Sequence, residues 1–221
     1  MNKIEVVNLS HFYQDGMQMK KVLDNLSCSF ESGKFYSILG QSGSGKTTLL
    51  SLLSGLDTIE EGDILYNGES IKKIGYNKYR NSYVNIIFQS YNLIPYMTAY
   101  ENVEVALDIA GIKLSKEDKK EKILSTLNEL GIDNSAAFRT VLKLSGGEQQ
   151  RVAIARCLVT DIPFIMADEP TCNLDEDTEK KIIDIFKKLA KQGKGVIVVT
   201  HSKELADSSD KIYHIKGGGV Y

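Results

Sequence analysis

Three short segments of this chain have residue types and spacing suited to phosphate chemistry. Gly40-Gln41-Ser42-Gly43-Ser44-Gly45-Lys46-Thr47 fits the pattern of a glycine-rich loop that ends in a lysine and a hydroxyl. Its glycines let the backbone turn so that successive N–H groups face inward, an anion nest at the start of a helix. Lys46 can then reach β- and γ-phosphates, and the Thr47 hydroxyl can ligate Mg²⁺. Further on, the apolar run Phe164-Ile165-Met166-Ala167 ends in two carboxylates, Asp168 and Glu169. Asp168 suits a Mg²⁺ held through water, and Glu169 can orient and deprotonate an attacking water. The third segment, Ser145-Gly146-Gly147, opens another helix and so makes a second phosphate-attracting N-terminus. One terminal phosphate is not easily held by two helix ends placed so differently in one compact chain. The pair of nests points to a site closed by a second molecule.

Each segment needs a strand to deliver it and a helix to receive it. Val22 to Phe30 alternates around Leu26, Cys28 and Phe30, and Glu31-Ser32-Gly33-Lys34 turns into the apolar strand Phe35 to Leu39. Leu49, Leu50, Leu52 and Leu53 then predict a helix that Gly55 stops. Gly62 to Gly68 reads as a short strand. From Thr98 to about Gly131 helical patterns dominate, with Ser115 and Asp118 as a capping box, and about 90–150 reads as a helical subdomain inserted in an α/β core. Afterwards helix and strand alternate. A helix starts near Gly147, strand Phe164–Ala167 follows, then a helix carrying Ile182, Ile183, Phe186 and Leu189, strand Val196–Thr200, and a short helix near Glu204. That alternation implies right-handed βαβ units and a largely parallel sheet, with the ligand site at the strands' carboxyl ends.

Composition sets the limits. The chain has 221 residues, 42% hydrophobic and 25% charged, with a formal net charge of −2. That suits one globular domain and implies no bulk attraction to nucleic acid. No stretch approaches the roughly 18 apolar residues of a membrane span. Met1-Asn2-Lys3-Ile4-Glu5 has no apolar leader pattern, so secretion is not expected. Cys28, Cys157 and Cys172 have no metal-ligand spacing and read as small thiols of a reduced cytosol.

Together the motifs resemble those of ABC (ATP-binding cassette) transporter ATPases along nearly the whole chain. Leu144-Ser145-Gly146-Gly147-Glu148-Gln149 resembles the family signature, and Asp168-Glu169 its Walker B end. Gln89, after the apolar strand Val84 to Phe88, resembles the Q-loop glutamine. Asn173-Leu174-Asp175 resembles the D-loop, and His201, after Val196 to Thr200, the switch histidine. The resemblance implies a single ABC ATPase domain over 1–221: a P-loop α/β core with a mostly parallel sheet, an N-terminal antiparallel β-subdomain and the inserted helical subdomain. It also implies roles. Tyr13 stacks on adenine, with Phe12 as runner-up, and Gly40 to Thr48 cradles the phosphates of ATP with Mg²⁺. Gln89 contacts Mg²⁺ or the lytic water, and His201 touches the γ-phosphate beside Glu169. Ser145 to Glu148 closes the site of a second subunit, and Asp175 links the two sites.

Two departures from the pattern stand out. Glu148 replaces the usual Gln and can accept but not donate a hydrogen bond; Cys172 stands where close relatives often have Gly. The stretch Phe88-Gln89-Ser90-Tyr91-Asn92-Leu93-Ile94-Pro95, with Thr98 and Glu101-Asn102-Val103, resembles the lipoprotein-release, macrolide-efflux and peptide-resistance exporter subgroup, which includes the cell-division ATPase. In that subgroup the ATPase is separate from an integral membrane permease. This implies a cytoplasmic, membrane-peripheral subunit that pairs with its own copy and meets the permease near Gln89 to Glu101. A cell-division or signalling ATPase that moves no cargo, and a soluble iron–sulfur-assembly ATPase, are the alternatives.

Overall fold

The computed structural model describes residues 1–15, 18–172 and 174–221, so Asn173 of the expected D-loop lies outside the described residues. Two long strands open the chain, β1 (Lys3–Asp15) and β2 (Gln18–Glu31). Strand β3 (Phe35–Gly40) leads into helix α1 (Lys46–Leu53). Strands β4 (Glu61–Tyr66) and β5 (Glu69–Ser70), short helices α2 (Ile71–Ile74) and α3 (Tyr76–Ser82), and strand β6 (Val84–Ile87) follow. Then come α4 (Ala99–Ile109), α5 (Lys116–Glu129), α6 (Asn134–Ala137) and α7 (Gly146–Leu158). The chain ends with β7 (Phe164–Asp168), α8 (Glu176–Lys191), β8 (Gly195–Thr200), α9 (Lys203–Asp207), β9 (Lys211–Lys216) and β10 (Gly219–Val220).

Among the described residues these strands form two sheets. One is antiparallel, in the order β2-β1-β4-β5; the other runs β10-β9-β3-β8-β7-β6 and is parallel from β9 to β6. The uninterrupted apolar runs of the central strands follow from their having two buried faces. Phe35, Ile165, Ala167, Val196 and Val198 turn to one side, into a core shared with α4, α5, α7 and α8. Their neighbours Tyr36, Phe164, Met166, Ile197 and Val199 turn to the other, against α1 and the antiparallel sheet. The α/β core with mostly parallel sheet and the N-terminal antiparallel sheet stand as expected.

Helix α7 starts at Gly146, where a helix was expected near Gly147, and runs to Leu158 with Val152, Ala153, Ile154 and Ala155 all buried. Two local details differ from the sequence reading. Helices α2 and α3 are too short, and too sharply parted by Gly75 at φ 89°, to show a period. Ser115 does cap α5, accepting from Asp118 N, but Asp118 answers Ser115's hydroxyl rather than its backbone N–H. An aspartate is one methylene shorter than the glutamate that closes a full box. At Thr98 the acid is Glu101, and the box is complete.

Candidate active site

Adjacent parallel strands bring four chemical segments to one edge. β3 ends at Gly40 and β7 at Asp168, while β8 is followed by His201 and β6 by Gln89. A cleft of about 550 Å³ opens there. Gly40, Ser42, Gly43, Gly45, Lys46, Thr47 and Thr48 line it from the loop, and Tyr13, Gln89, Glu169 and His201 from around it.

The loop's shape rests on its glycines. Gly45 at φ 100° caps α1 in a left-handed conformation that a side chain resists, and a Cβ there would come within 2.9 Å of Leu23. Gly40 has no room for a side chain either, since a Cβ would meet the Ser44 hydroxyl at 2.4 Å and the Ile215 carbonyl at 2.7 Å. Ser44 N donates to Gln41 O at 3.1 Å, closing the turn. Lys46 is buried, and its ammonium donates to Gly40 O at 2.9 Å and Gln41 O at 3.1 Å. The lysine thus holds the loop closed on itself, with its charge at the floor of the nest.

The carboxylates sit on the facing strand. Thr47 Oγ1 lies 3.5 Å from Asp168 Oδ1, long for a hydrogen bond. Burial lifts the Asp168 carboxyl above its usual range; the Thr47 hydroxyl pulls the other way and the neighbouring Glu169 adds to the rise. Glu169 leaves the strand at φ 44°, a left-handed conformation costing a non-glycine residue on the order of 1 kcal/mol. Its N–H bonds Val199 O at 2.9 Å, and Oε2 accepts from His201 N at 3.2 Å and lies 2.9 Å from His201 Nδ1. The strained turn is therefore held from both ends and aims the carboxylate across to β8. Glu169 is mostly covered, its side chain 15% exposed, whereas His201 is 68% exposed and open to whatever enters the cleft. Gln89 Nε2 donates to Cys172 Sγ at 3.1 Å, so the departure at Cys172 supplies the Q-loop side chain's partner.

Oxygen ligands from one hydroxyl and one carboxylate suit Mg²⁺, which relies on phosphate oxygens and water for its remaining positions. Among the described residues no group of three His, Cys, Asp or Glu forms a metal cage.

Tyr13 lies at the rim, 44% exposed, with the His11 ring edge-on at 4.8 Å; Phe12 does not line the cleft but lies under the Lys21 ammonium. Two lining residues were missed from sequence, Lys20 and Val22 of β2. The alternation of β2 was legible, but which of its residues turn toward the loop depends on a bulge. From His11 to Phe12 on β1 the partner moves from Leu23 to Lys21, leaving Val22 as an extra residue.

Ser145, Gly146, Gly147 and Glu148 do not line this cleft. They form the first turn of α7 and make a complete capping box. Ser145 N and Oγ donate to Glu148 Oε2 at 2.7 and 2.8 Å, and Glu148 N donates back to Ser145 Oγ at 3.3 Å. The Ser145 backbone N–H, with its hydroxyl, holds the Glu148 carboxyl below the usual range. A Cβ on Gly147 would meet Thr178 at 2.6 Å, so the turn packs closely on the start of α8, which Asp175 caps through Thr178 N.

The family model "ABC transporter" matches residues 23–172. The uncharacterized ABC transporter ATP-binding protein YclH of Bacillus subtilis is 48% identical over 95% of this chain and 92% of its own length. The macrolide export ATP-binding/permease protein MacB of Mannheimia succiniciproducens is 36% identical over 100% of this chain and 34% of its own length. The dimeric structure of MJ0796, an ABC transporter cassette from Methanocaldococcus jannaschii, matches with a TM-score of 0.90 at 36% identity, covering 98% of this chain and 96% of that one. A further dimeric structure of that cassette is a post-hydrolysis state bound to ADP and Pi. With the loop, Glu169 and His201 lining one cleft and Asp168 beside Thr47, the chain belongs to the ABC transporter family as one of its ATP-binding, ATP-hydrolysing cassettes.

Proposed function

We propose that two copies of this chain sandwich ATP head to tail and power a separate integral membrane permease, an exporter, from the cytoplasmic face of the membrane. One observation carries the pairing: the Ser145–Gly147 helix end lies outside the cleft that holds the phosphate loop. Each chain therefore presents half of a site, and a second copy supplies the missing positive helix end to the γ-phosphate.

Within that pair, Tyr13 stacks on adenine and the N–H groups of the loop from Gly40 to Thr48 cradle the phosphates. Lys46 exchanges the Gly40 and Gln41 carbonyls for phosphate oxygens. Thr47 and Asp168 hold Mg²⁺, with Gln89 beside them; the ion neutralises phosphate charge when bound. Glu169 accepts the proton of the attacking water, and His201, tied to Glu169 and exposed to the cleft, donates to the γ-phosphate.

The segment after Gln89 suits a mechanical link. Tyr91 and Asn92 both adopt positive φ, at 61° and 47°, and Arg156 of α7 donates to their carbonyls at 3.0 and 2.6 Å. Movement of the signature helix α7 is thus transmitted to the Q-loop. Beside it lies a groove of about 340 Å³ lined by Asn85, Ile94, Asn102, Val105, Ile109 and Arg156, and Tyr96, two residues after Ile94, is strongly exposed. Among the described residues no helix is long and apolar enough to cross a membrane. Purification of the tagged protein from native membranes is expected to bring down a multi-span subunit that raises its ATPase rate. Recovery of soluble assembly factors, or of a division protein without stimulation by any permease, would contradict the exporter reading.

Glu148 modulates the pairing. Its carboxylate sits on the Ser145 N–H and hydroxyl, adding negative charge where the partner's γ-phosphate approaches. Glu148→Gln keeps the box and removes the charge, and is expected to lower the ATP concentration for half-dimerisation about two- to fivefold, the scale of a charge at a helix end. Light scattering in the Glu169→Gln background reads this, and an unchanged or higher midpoint counts against it.

A further inference from the structure

Besides Lys46, the described residues bring one more lysine to the cleft, Lys20 of β2. Its position follows from the ladder. Tyr13 and Lys20 are directly paired in the antiparallel β1–β2 ribbon, so their side chains leave the same face with Cβ atoms about 5 Å apart. The bulge at Val22 brings β2 against the phosphate loop: the Val22 carbonyl lies 3.0 Å from where Gly45 would carry a Cβ. Lys20 stands two residues further along, about 6.5 Å beyond that contact. It is therefore level with the stacking tyrosine, at the base end of the cleft, while Lys46 serves the phosphate end.

Among the described residues the Lys20 ammonium has no hydrogen bond, ion pair or ring contact, whereas its neighbour Lys21 is engaged by Asp24 and the Phe12 ring. A lysine is a donor with no acceptor capacity. Beside a purine it rewards an edge that presents acceptors. Guanine offers N7 and O6 together, whereas adenine offers N7 beside an amino donor.

We propose that Lys20 is a base-reading residue that donates to the acceptor edge of a purine stacked on Tyr13, so that the cleft takes GTP as well as ATP. This rests on the reading that Tyr13 stacks on the base. The backbone of the loop remains responsible for the triphosphate, which both nucleotides share.

Calorimetric titration of native protein, Lys20→Met and Lys20→Arg against ATP, GTP and inorganic tripolyphosphate tests the assignment. In Lys20→Met the affinity for GTP is expected to fall at least about fivefold more than that for ATP, the scale of one lysine–guanine contact. Tripolyphosphate binding should be unchanged, and Lys20→Arg should retain GTP. Retained tripolyphosphate binding also reports a folded variant. Equal losses for all three ligands would make Lys20 a phosphate residue and overturn the proposal, as would no loss at all. Native protein that binds ATP but not GTP overturns the base-reading role alone. Native protein that binds tripolyphosphate but neither nucleotide overturns the stacking at Tyr13 as well.

Discussion

Glu169→Gln is expected to slow ATP hydrolysis by about 10²- to 10⁴-fold, the contribution of a positioned general base, with ATP affinity nearly unchanged. The reason is geometric. The carboxylate is held by a turn at φ 44° and by His201, whose N–H and Nδ1 lie 3.2 and 2.9 Å from Oε2. An amide can occupy the same place and still accept from His201 N, so the strained turn survives; what is lost is the capacity to take a proton from water. Glu169 does not join the phosphate nest, so binding persists. Unhydrolysed ATP should then accumulate as a trapped pair, seen as a doubled mass in ATP and not in ADP. Single-turnover rates and light scattering check the two halves separately. Equal turnover by the variant and the native enzyme would remove Glu169 from the role of base.

Lys46→Ala is expected to weaken ATP binding about 100-fold and leave no measurable turnover. The estimate comes from losing charge-assisted hydrogen bonds worth about 1.5–3 kcal/mol each at a site where a buried ammonium faces the phosphates. There is a second consequence in the free protein. Lys46 satisfies the Gly40 and Gln41 carbonyls, so its removal also frees the loop from its own closure. Affinity for ATP should therefore fall more than affinity for AMP, which lacks the β- and γ-phosphates that Lys46 reaches. Titration with both nucleotides measures this. Equal losses would place Lys46 outside the phosphate end.

Much of this site was legible because its segments lie at strand ends with two buried faces. Phe164 to Ala167 and Val196 to Val199 are uninterrupted apolar runs, and runs of that length flanked by polar residues announce both the strand and the place where it stops. Asp168, Glu169 and His201 inherit their position from that stop. The phosphate loop is legible for a different reason: the glycines occupy positions where side chains would collide, as at Gly40 and Gly45.

What stayed hidden depends on register and on long-range contacts. Lys20 and Val22 face the cleft because one extra residue enters β2, and a shift by one reverses which side chains face which way. No local pattern marks that bulge. The bonds from Arg156 to the Tyr91 and Asn92 carbonyls join residues separated by more than sixty positions, and the Gln89–Cys172 pairing joins two loops on different strands. Such partners are set by the sheet order β3-β8-β7-β6, which emerges only when the chain is folded. At Ser115, by contrast, the residue types were read well, and the shortness of the aspartate side chain decided the geometry.

Two chains making each nucleotide site is the idea with the most resting on it, and mixing two crippled variants tests it most directly. Lys46→Ala disables the phosphate loop and Ser145→Arg disables the helix end, so neither alone should hydrolyse ATP. In a head-to-tail mixed pair, one site combines the intact loop of the Ser145→Arg chain with the intact helix end of the Lys46→Ala chain. ATPase activity that is absent from each variant and regained on mixing is the expected result. A mixture as inactive as its parts, with mixed pairs shown to form, would contradict a site shared between two copies.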